Sequence, residues 1–180
     1  MGYFYCSSRD ASGQDLDVAL RMLLMQLSPP TKIPKPLSNL FKVCTNVYPP
    51  RTPTLNELGD CLRDVVALHA EDTDVSLCWD GIDELPLETR PHLYSIIKNL
   101  VGLQQPRVHL LVTSQDHADI RGVLSGSACF SYMPILDTLV RRDVEVYIEN
   151  VIRSDHRLSS LSSQMRQEIL DKIVVQSDGM

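Results

Sequence analysis

Three carboxylates that follow an apolar run are the side chains in this sequence best suited to chemistry. The run Val75–Trp79 is followed at once by the segment Asp80–Glu84, which reads Asp-Gly-Ile-Asp-Glu. Unpaired carboxylates are costly to remove from water, so acids placed directly after a buried strand indicate a function. At the carboxyl end of a parallel strand that function is usually ligand binding, often of a hydrated metal on a phosphate.

Each acid has a predicted role in such a site. Asp80 would hold Mg²⁺ through water, Gly81 would let the ligand approach closely, and Glu84 would polarise an attacking water. Asp83 is a further candidate for binding the same ligand. The alternative is a strand followed by a turn whose acids face solvent and cap the next helix, and this stretch alone leaves both interpretations open.

Apolar runs that alternate with amphipathic segments predict the elements that hold these acids. Continuous apolar runs are typical of buried parallel strands, and the alternation of strand and helix indicates a parallel α/β sheet. The predicted strands lie near residues 2–7, 75–79, 107–112 and 129–136. Helices are predicted after Asp15, over 37–44, after the capping box of Thr54 and Glu57, and over 88–101, 116–124, 141–153 and 163–176.

Composition narrows the class of protein. A chain of 180 residues that is 43% hydrophobic can bury one sizeable core, so residues 1–180 are expected to form one domain or part of one. The net charge of -6 argues against a nucleic-acid binder, which needs a basic face. No apolar run approaches the roughly 20 residues of a membrane span, and no signal peptide is evident, so no membrane association is expected.

Five scattered cysteines and five scattered histidines show no metal-binding spacing. Unpaired cysteines favour a reducing compartment, and we expect a cytoplasmic protein. Cys78 with a distant histidine would suit a thiol hydrolase, and Asp80 with Asp83 would suit carboxylate chemistry. Since Cys78 lies within the predicted central strand, its thiol is expected to be buried and inert.

Five short segments, in a fixed order, carry a resemblance to a known family. They are the aromatic strand at Tyr3–Tyr5, Trp79–Glu84, Leu111–Gln115, the helix at Asp143–Ile148 and the Gly-Met ending of Ser177–Met180. This order resembles the NACHT domain of STAND P-loop NTPases, in the nephrocystin-3-like N-terminal form common in large fungal repeat proteins. In that resemblance Trp79–Glu84 is similar to the Walker B element, and Leu111–Gln115 is similar to the sensor strand.

The resemblance implies a three-layer, parallel P-loop-NTPase-like sheet and a nucleotide site. ATP or GTP with Mg²⁺ would be bound by Asp80 and Asp83 together with the segment Thr113, Ser114 and Gln115. Asp80 would be the magnesium ligand, and Glu84 the catalytic residue.

The sequence departs from the family pattern at its most important motif. No Gly-x-x-x-x-Gly-Lys-[Ser/Thr] loop occurs, and Gln115 stands where the family usually has arginine. Without that loop we expect no cofactor bound by the chain alone and no autonomous hydrolysis, which leaves Glu84 as a vestige. The first strand would be missing too, so three neighbouring strands would leave an exposed apolar edge that favours association.

Several functions remain open at this stage. The chain would be a truncated gene product or a fragment that associates with itself or with related STAND proteins. Alternatively, it would be an ATP or GTP switch that uses Asp80 and Glu84 with a P-loop supplied elsewhere. A thiol hydrolase and a domain that binds only protein are the remaining hypotheses.

Overall fold

The apolar run before the acidic segment forms the central strand of a parallel sheet. In a computed structural model, which describes residues 1–124, 130–135, 137–155, 157–158 and 161–176, the strands are β1 Gly2–Tyr5, β2 Val75–Asp80 and β3 Val108–Val112. Their spatial order is β1–β2–β3, and both pairs are parallel. This confirms the predicted α/β class with three neighbouring strands. All three carboxyl ends meet at one edge of the sheet.

Helices connect the strands and form most of the chain after β3. Residues Met1–Phe130 and Ser131–Met180 form two compact units. The first unit contains α1 Leu16–Gln26, α2 Lys35–Thr45, α3 Leu55–Ala70, α4 Arg90–Val101 and α5 Ala118–Leu124. The second contains α6 Asp137–Ser154 and α7 Ser163–Gln176. No helix of the described residues is long and apolar enough to cross a membrane.

The predicted helix starts are confirmed by their caps. The Asp15 carboxylate accepts a hydrogen bond from the Asp17 N–H at 2.8 Å at the start of α1. Thr54 and Glu57 form the predicted capping box of α3, in which each side chain accepts from the other residue's backbone N–H. At the far end of α3, His69 Nε2 lies 2.8 Å from the carbonyl oxygen of Leu27, where α1 ends.

One face of the sheet carries the core of the first unit. Phe4, Leu77 and Trp79 on this face are at most 4% exposed. Helix α1 packs on β1, α3 packs on β2, and α3 also contacts α1 and α4. Full burial of a side chain such as Leu77 contributes about 2 kcal/mol to folding, so this covered face supplies much of the stability of the unit.

The opposite face of the sheet is largely open. Tyr3, Tyr5 and Leu111 are 46%, 62% and 60% exposed, and Cys78 between them is half-buried. The expectation of a buried and inert Cys78 was therefore wrong about its burial. The strands also alternate between buried and more exposed residues instead of being buried on both faces. Among the described residues β3 pairs only with β2, so its outer edge is free, as predicted.

The C-terminal part differs from prediction at one strand. Residues 130–135 form no strand, and positions 129 and 136, which bound the prediction, lie outside the described residues. The two predicted helices are present, although α6 begins at Asp137 and not at Arg141. In the second unit, Ile148 and Ile152 of α6 are buried against partly buried apolar residues that include Ile169 and Leu170 of α7.

Candidate functional site

The carboxyl edge of the sheet brings together the loops that follow all three strands. After β2 the chain turns at Gly81, whose φ of +69° lies in the left-handed region that favours glycine. The position of an added Cβ would meet its nearest atom, the Cys6 carbonyl oxygen, only at 3.6 Å. Backbone conformation, and not lack of space, therefore requires glycine here.

Thr113 connects the turn after β2 to the end of β3. The Gly81 N–H donates to Thr113 Oγ1 at 2.9 Å, and the Ile82 N–H donates to the Thr113 carbonyl at 3.1 Å. The Thr113 hydroxyl in turn donates to Asp80 Oδ1. Asp80 and Thr113, both predicted site residues, are therefore direct neighbours, and no described residue donates a hydrogen bond to Asp80 Oδ2.

Glu84 binds the loop that follows β1. Its Oε2 accepts from the Ser8 backbone N–H at 2.6 Å and from the Ser8 hydroxyl at 2.9 Å. These bonds lower the pKa of the Glu84 carboxyl, the backbone bond having the largest effect, and the nearby Arg9 adds to the shift. Ser8 is 76 residues away in the chain, and no local pattern in the sequence predicted this contact.

Asp83 binds the loop that follows β3. Its Oδ1 accepts from the Gln115 backbone N–H at 3.0 Å, so the side chain of Gln115 plays no part in this bond. The Ser114 hydroxyl donates to the carbonyl of Gln115, and among the described residues it makes no hydrogen bond to the acids. The structure therefore brings Asp80, Asp83, Thr113 and Gln115 into one hydrogen-bonded edge, while Ser114 is turned to its own loop.

Arg90 is a site residue that the sequence analysis did not identify. It is 7% exposed at the start of α4, and its guanidinium donates to the carbonyls of Asp83 and Leu85 and to the Asp119 carboxylate at 3.1 Å. Tyr94 donates to the same Asp119 oxygen at 3.0 Å. An arginine in the first turn of a helix is unfavourable for the helix dipole, and that misfit was the available signal of a distant partner.

Comparison with protein-family models matches residues 1–115 to the family described as nephrocystin 3, N-terminal. The chain belongs to this family. The match contains the three strands and ends at Gln115, so it includes the whole hydrogen-bonded edge except Asp119. Neither the curated proteins nor the solved structures gave a match.

An open cavity of about 600 Å³ lies beside this edge in the nephrocystin-3-like region. It is lined by Ser7, Ser8, Arg9, Asp83, Glu84, Arg90, Gln115 and His117. Hydroxyl, amide and cationic groups stand there next to two carboxylates, an arrangement suited to a polar ligand with anionic groups. Asp80, Thr113 and Ser114 do not line it.

The geometry of this family member is compatible with a Mg²⁺ ligand at Asp80 and unfavourable for thiol chemistry at Cys78. Within the part of the chain that the structure describes, no three His, Cys, Asp or Glu side chains are placed to hold a metal ion together. Mg²⁺ commonly needs only one or two carboxylates besides phosphate and water, so Asp80 alone fits that role through Oδ2. For Cys78, burial first and Asp80 second raise the pKa of the thiol, which lowers its reactivity.

Proposed function

We propose that this chain is a NACHT-type domain of the STAND class, in the form found in fungal repeat proteins, that works by protein association. It does not hydrolyse nucleotide by itself, and its first partner is another copy of the same chain. The match to the nephrocystin 3 N-terminal family supports the assignment. The ordered segments Tyr3–Tyr5, Trp79–Glu84 and Leu111–Gln115 support its NACHT character.

The observation that carries this proposal is the open face of the sheet together with the free edge of β3. Tyr3, Tyr5 and Leu111 present uncharged, largely apolar surface to solvent. A free strand edge offers unpaired backbone groups to another chain. Two β3 edges related by a twofold axis pair antiparallel, which continues the sheet across both copies and joins their open faces.

The hydrogen bonds at the carboxyl edge support the absence of autonomous hydrolysis. A general base works best when its pKa lies near the working pH. The pKa of Glu84 is instead lowered by the bonds from Ser8, so its carboxylate is a weaker base than an ordinary glutamate. The acids act here as bridges between loops.

Sedimentation velocity over a range of protein concentrations tests the association. The comparison uses the wild type, Leu111→Lys on the open face, and Met25→Lys on α1 as a control with the same change in charge. Met25 is 66% exposed and lies outside the sheet. We expect dimers of the wild type and of Met25→Lys, and about tenfold weaker association of Leu111→Lys. A wild type that stays monomeric at high concentration, or equal effects of the two lysines, contradicts the proposal.

The second candidate is an ATP or GTP switch whose P-loop is supplied by another segment or chain. The cavity beside Glu84 favours it, because Arg9 places a cationic group, and His117 an imidazole, where phosphates would be bound. Asp80 would hold Mg²⁺ through Oδ2, and Thr113 would fix the orientation of that carboxylate. When bound, the ion would neutralise phosphate charge.

Calorimetric titration with ATP or GTP in the presence of Mg²⁺ separates the two candidates. Asp80→Asn removes the charge of the candidate ligand, and Asp171→Asn on α7 is a control of equal charge change. No measurable heat with the folded wild type is expected from the association proposal. Micromolar binding that is lost in Asp80→Asn and kept in Asp171→Asn establishes the switch instead.

A further inference from the structure

An open groove of about 630 Å³ runs between α2 and α3. Its apolar surface comes from Leu40 and Val43 on α2 and from Ala67 and Leu68 on α3. Val43 is 54% and Leu68 41% exposed, so the seam between the two helices is accessible to solvent. A shallow apolar seam between two helices is the type of surface onto which a third amphipathic helix packs.

Carboxylates line the α3 side of this groove. Asp60, Asp64 and Glu71 lie four and seven residues apart, a spacing that keeps them on one side of the helix. Arg63 lies 2.8 Å from Asp64 and 3.6 Å from Asp60, but Arg63 does not line the groove, and such exposed pairs hold their partners weakly. Lys35 is the single cation among the described residues that line the groove.

Glu57 also lines the groove, but both oxygens of its carboxylate accept hydrogen bonds within the chain. Arg51 binds it with two hydrogen bonds of 2.5 and 2.7 Å, and the Thr54 N–H donates to it as well. The hydrogen bond from Arg51 is the largest of the effects that lower the pKa of Glu57 to about 2. Asp64 accepts two hydrogen bonds from the partly exposed Arg63, at 3.0 and 2.8 Å, both at Oδ1. Among the described residues nothing donates a hydrogen bond to the carboxylates of Asp60 and Glu71 or to Asp64 Oδ2, so these oxygens are the ones available to a partner.

We propose that this groove binds a basic amphipathic helix of another protein. The apolar face of that helix lies on Val43 and Leu68, and its lysine or arginine side chains face Asp60, Asp64 and Glu71. Asp60 and Glu71, which directly follows α3, are 11 positions apart. At the rise of a helix this is about 16 Å, or about three turns of a partner helix. A second copy of this chain is a poor occupant of this acidic groove, because binding here needs a cationic face and the chain carries a net charge of -6. Association at β3, by contrast, joins backbone groups and uncharged side chains.

A labelled synthetic helix provides the test. The probe is a capped 14-residue peptide, with leucine and alanine on one face and lysines spaced four and seven residues apart along its border. The matched control peptide carries glutamate at the lysine positions. Fluorescence anisotropy at low salt measures binding to the full chain, to the double variant Asp60→Asn with Asp64→Asn, and to Val43→Gln. Asp17→Asn is the control, because Asp17 is in a similar exposed ion pair with Arg21 on α1.

We expect the lysine peptide to bind and the glutamate peptide not to bind. The double variant should weaken binding about fivefold and Val43→Gln about threefold, while Asp17→Asn stays within about twofold of the wild type. Val43, Asp60 and Asp64 are exposed and Asp17 is partly exposed, so circular dichroism should show unchanged helix content. No binding of the lysine peptide, equal binding of both peptides, or unchanged affinity of the double variant overturns the proposal. Since none of these residues lies on the sheet, the result is independent of self-association.

Discussion

The two faces of the sheet carry apolar residues in the same strands but differ in what those residues do. On the covered face, Leu77 and Trp79 are at most 1% exposed beneath the helices. On the open face, Leu111 is 60% exposed and Cys78 is half-buried. Because apolar residues stabilise a fold only when water is removed from them, the first face holds the unit together and the second is available for association.

The largest expected effect comes from the covered face. Leu77→Ala removes a fully buried side chain and leaves a cavity, which should lower the free energy of unfolding by about 3 kcal/mol. Leu111→Ala, the matched change on the open face, should alter it by less than about 0.5 kcal/mol. Urea unfolding of both variants, at a concentration at which the chain is monomeric, measures the difference. Equal losses would show that the open face is covered in solution.

The next largest effect on stability is expected from Arg90, which binds the loop at the carboxyl edge of the sheet. Arg90→Met keeps much of the buried stem but leaves the carbonyls of Asp83 and Leu85 without the guanidinium donor and leaves Asp119 with Tyr94 as its side-chain donor. The free energy of unfolding should fall by about 2 kcal/mol. His92→Met, an exposed change on the same helix, is the control and should have little effect. Similar urea midpoints for the two variants would contradict the role of Arg90.

A smaller effect is expected at the turn after β2. Gly81→Ala places a Cβ on a residue with φ of +69°, which costs about 1 kcal/mol. Gly122→Ala in α5, where an added Cβ meets no atom within 4 Å, should be neutral or slightly stabilising. Thermal unfolding compares the pair. If Gly81→Ala has no cost, the turn adopts another conformation in solution.

The smallest effect is the pH dependence of the edge. The pKa of Glu84 is lowered in the folded chain, so its contribution to stability is complete above the ordinary value of 4.5 and is lost as the pH falls through the lowered pKa. Other acids with lowered pKa, among them Glu57, lose their contributions over the same acidic range. Urea midpoints between about pH 6 and pH 2 should therefore fall less steeply in Glu84→Gln than in the wild type. Parallel curves would mean that Ser8 does not hold Glu84.

Local patterns predicted the elements well. The spacing of apolar residues and the caps at Asp15 and Thr54 located α1 and α3, and the apolar runs located the three strands. The extent of burial was not predictable in this way. The thiol of Cys78 is apolar and can be buried, but the sequence does not reveal whether a helix covers the face of β2 on which it lies.

The site was predicted in part for a related reason. The family resemblance grouped Asp80 with Thr113 in one site, and the two residues are neighbours because their parallel strands end at the same edge. The bonds of Glu84 to Ser8 and of Arg90 to Asp119 join residues 76 and 29 positions apart, and no periodic pattern records such pairs. Ser8 and Arg90 were therefore missed, although both contact the predicted acidic segment.

Trp79 gives this molecule a built-in optical reporter. It is the single tryptophan of the chain, it is fully buried, and no described residue accepts a hydrogen bond from its indole nitrogen. Its emission in the folded state should therefore be shifted to short wavelength and should move to longer wavelength when water reaches it. Because residues 131–180 contain no tryptophan, fluorescence follows the melting of the sheet-containing unit alone, while circular dichroism follows the helices of both units.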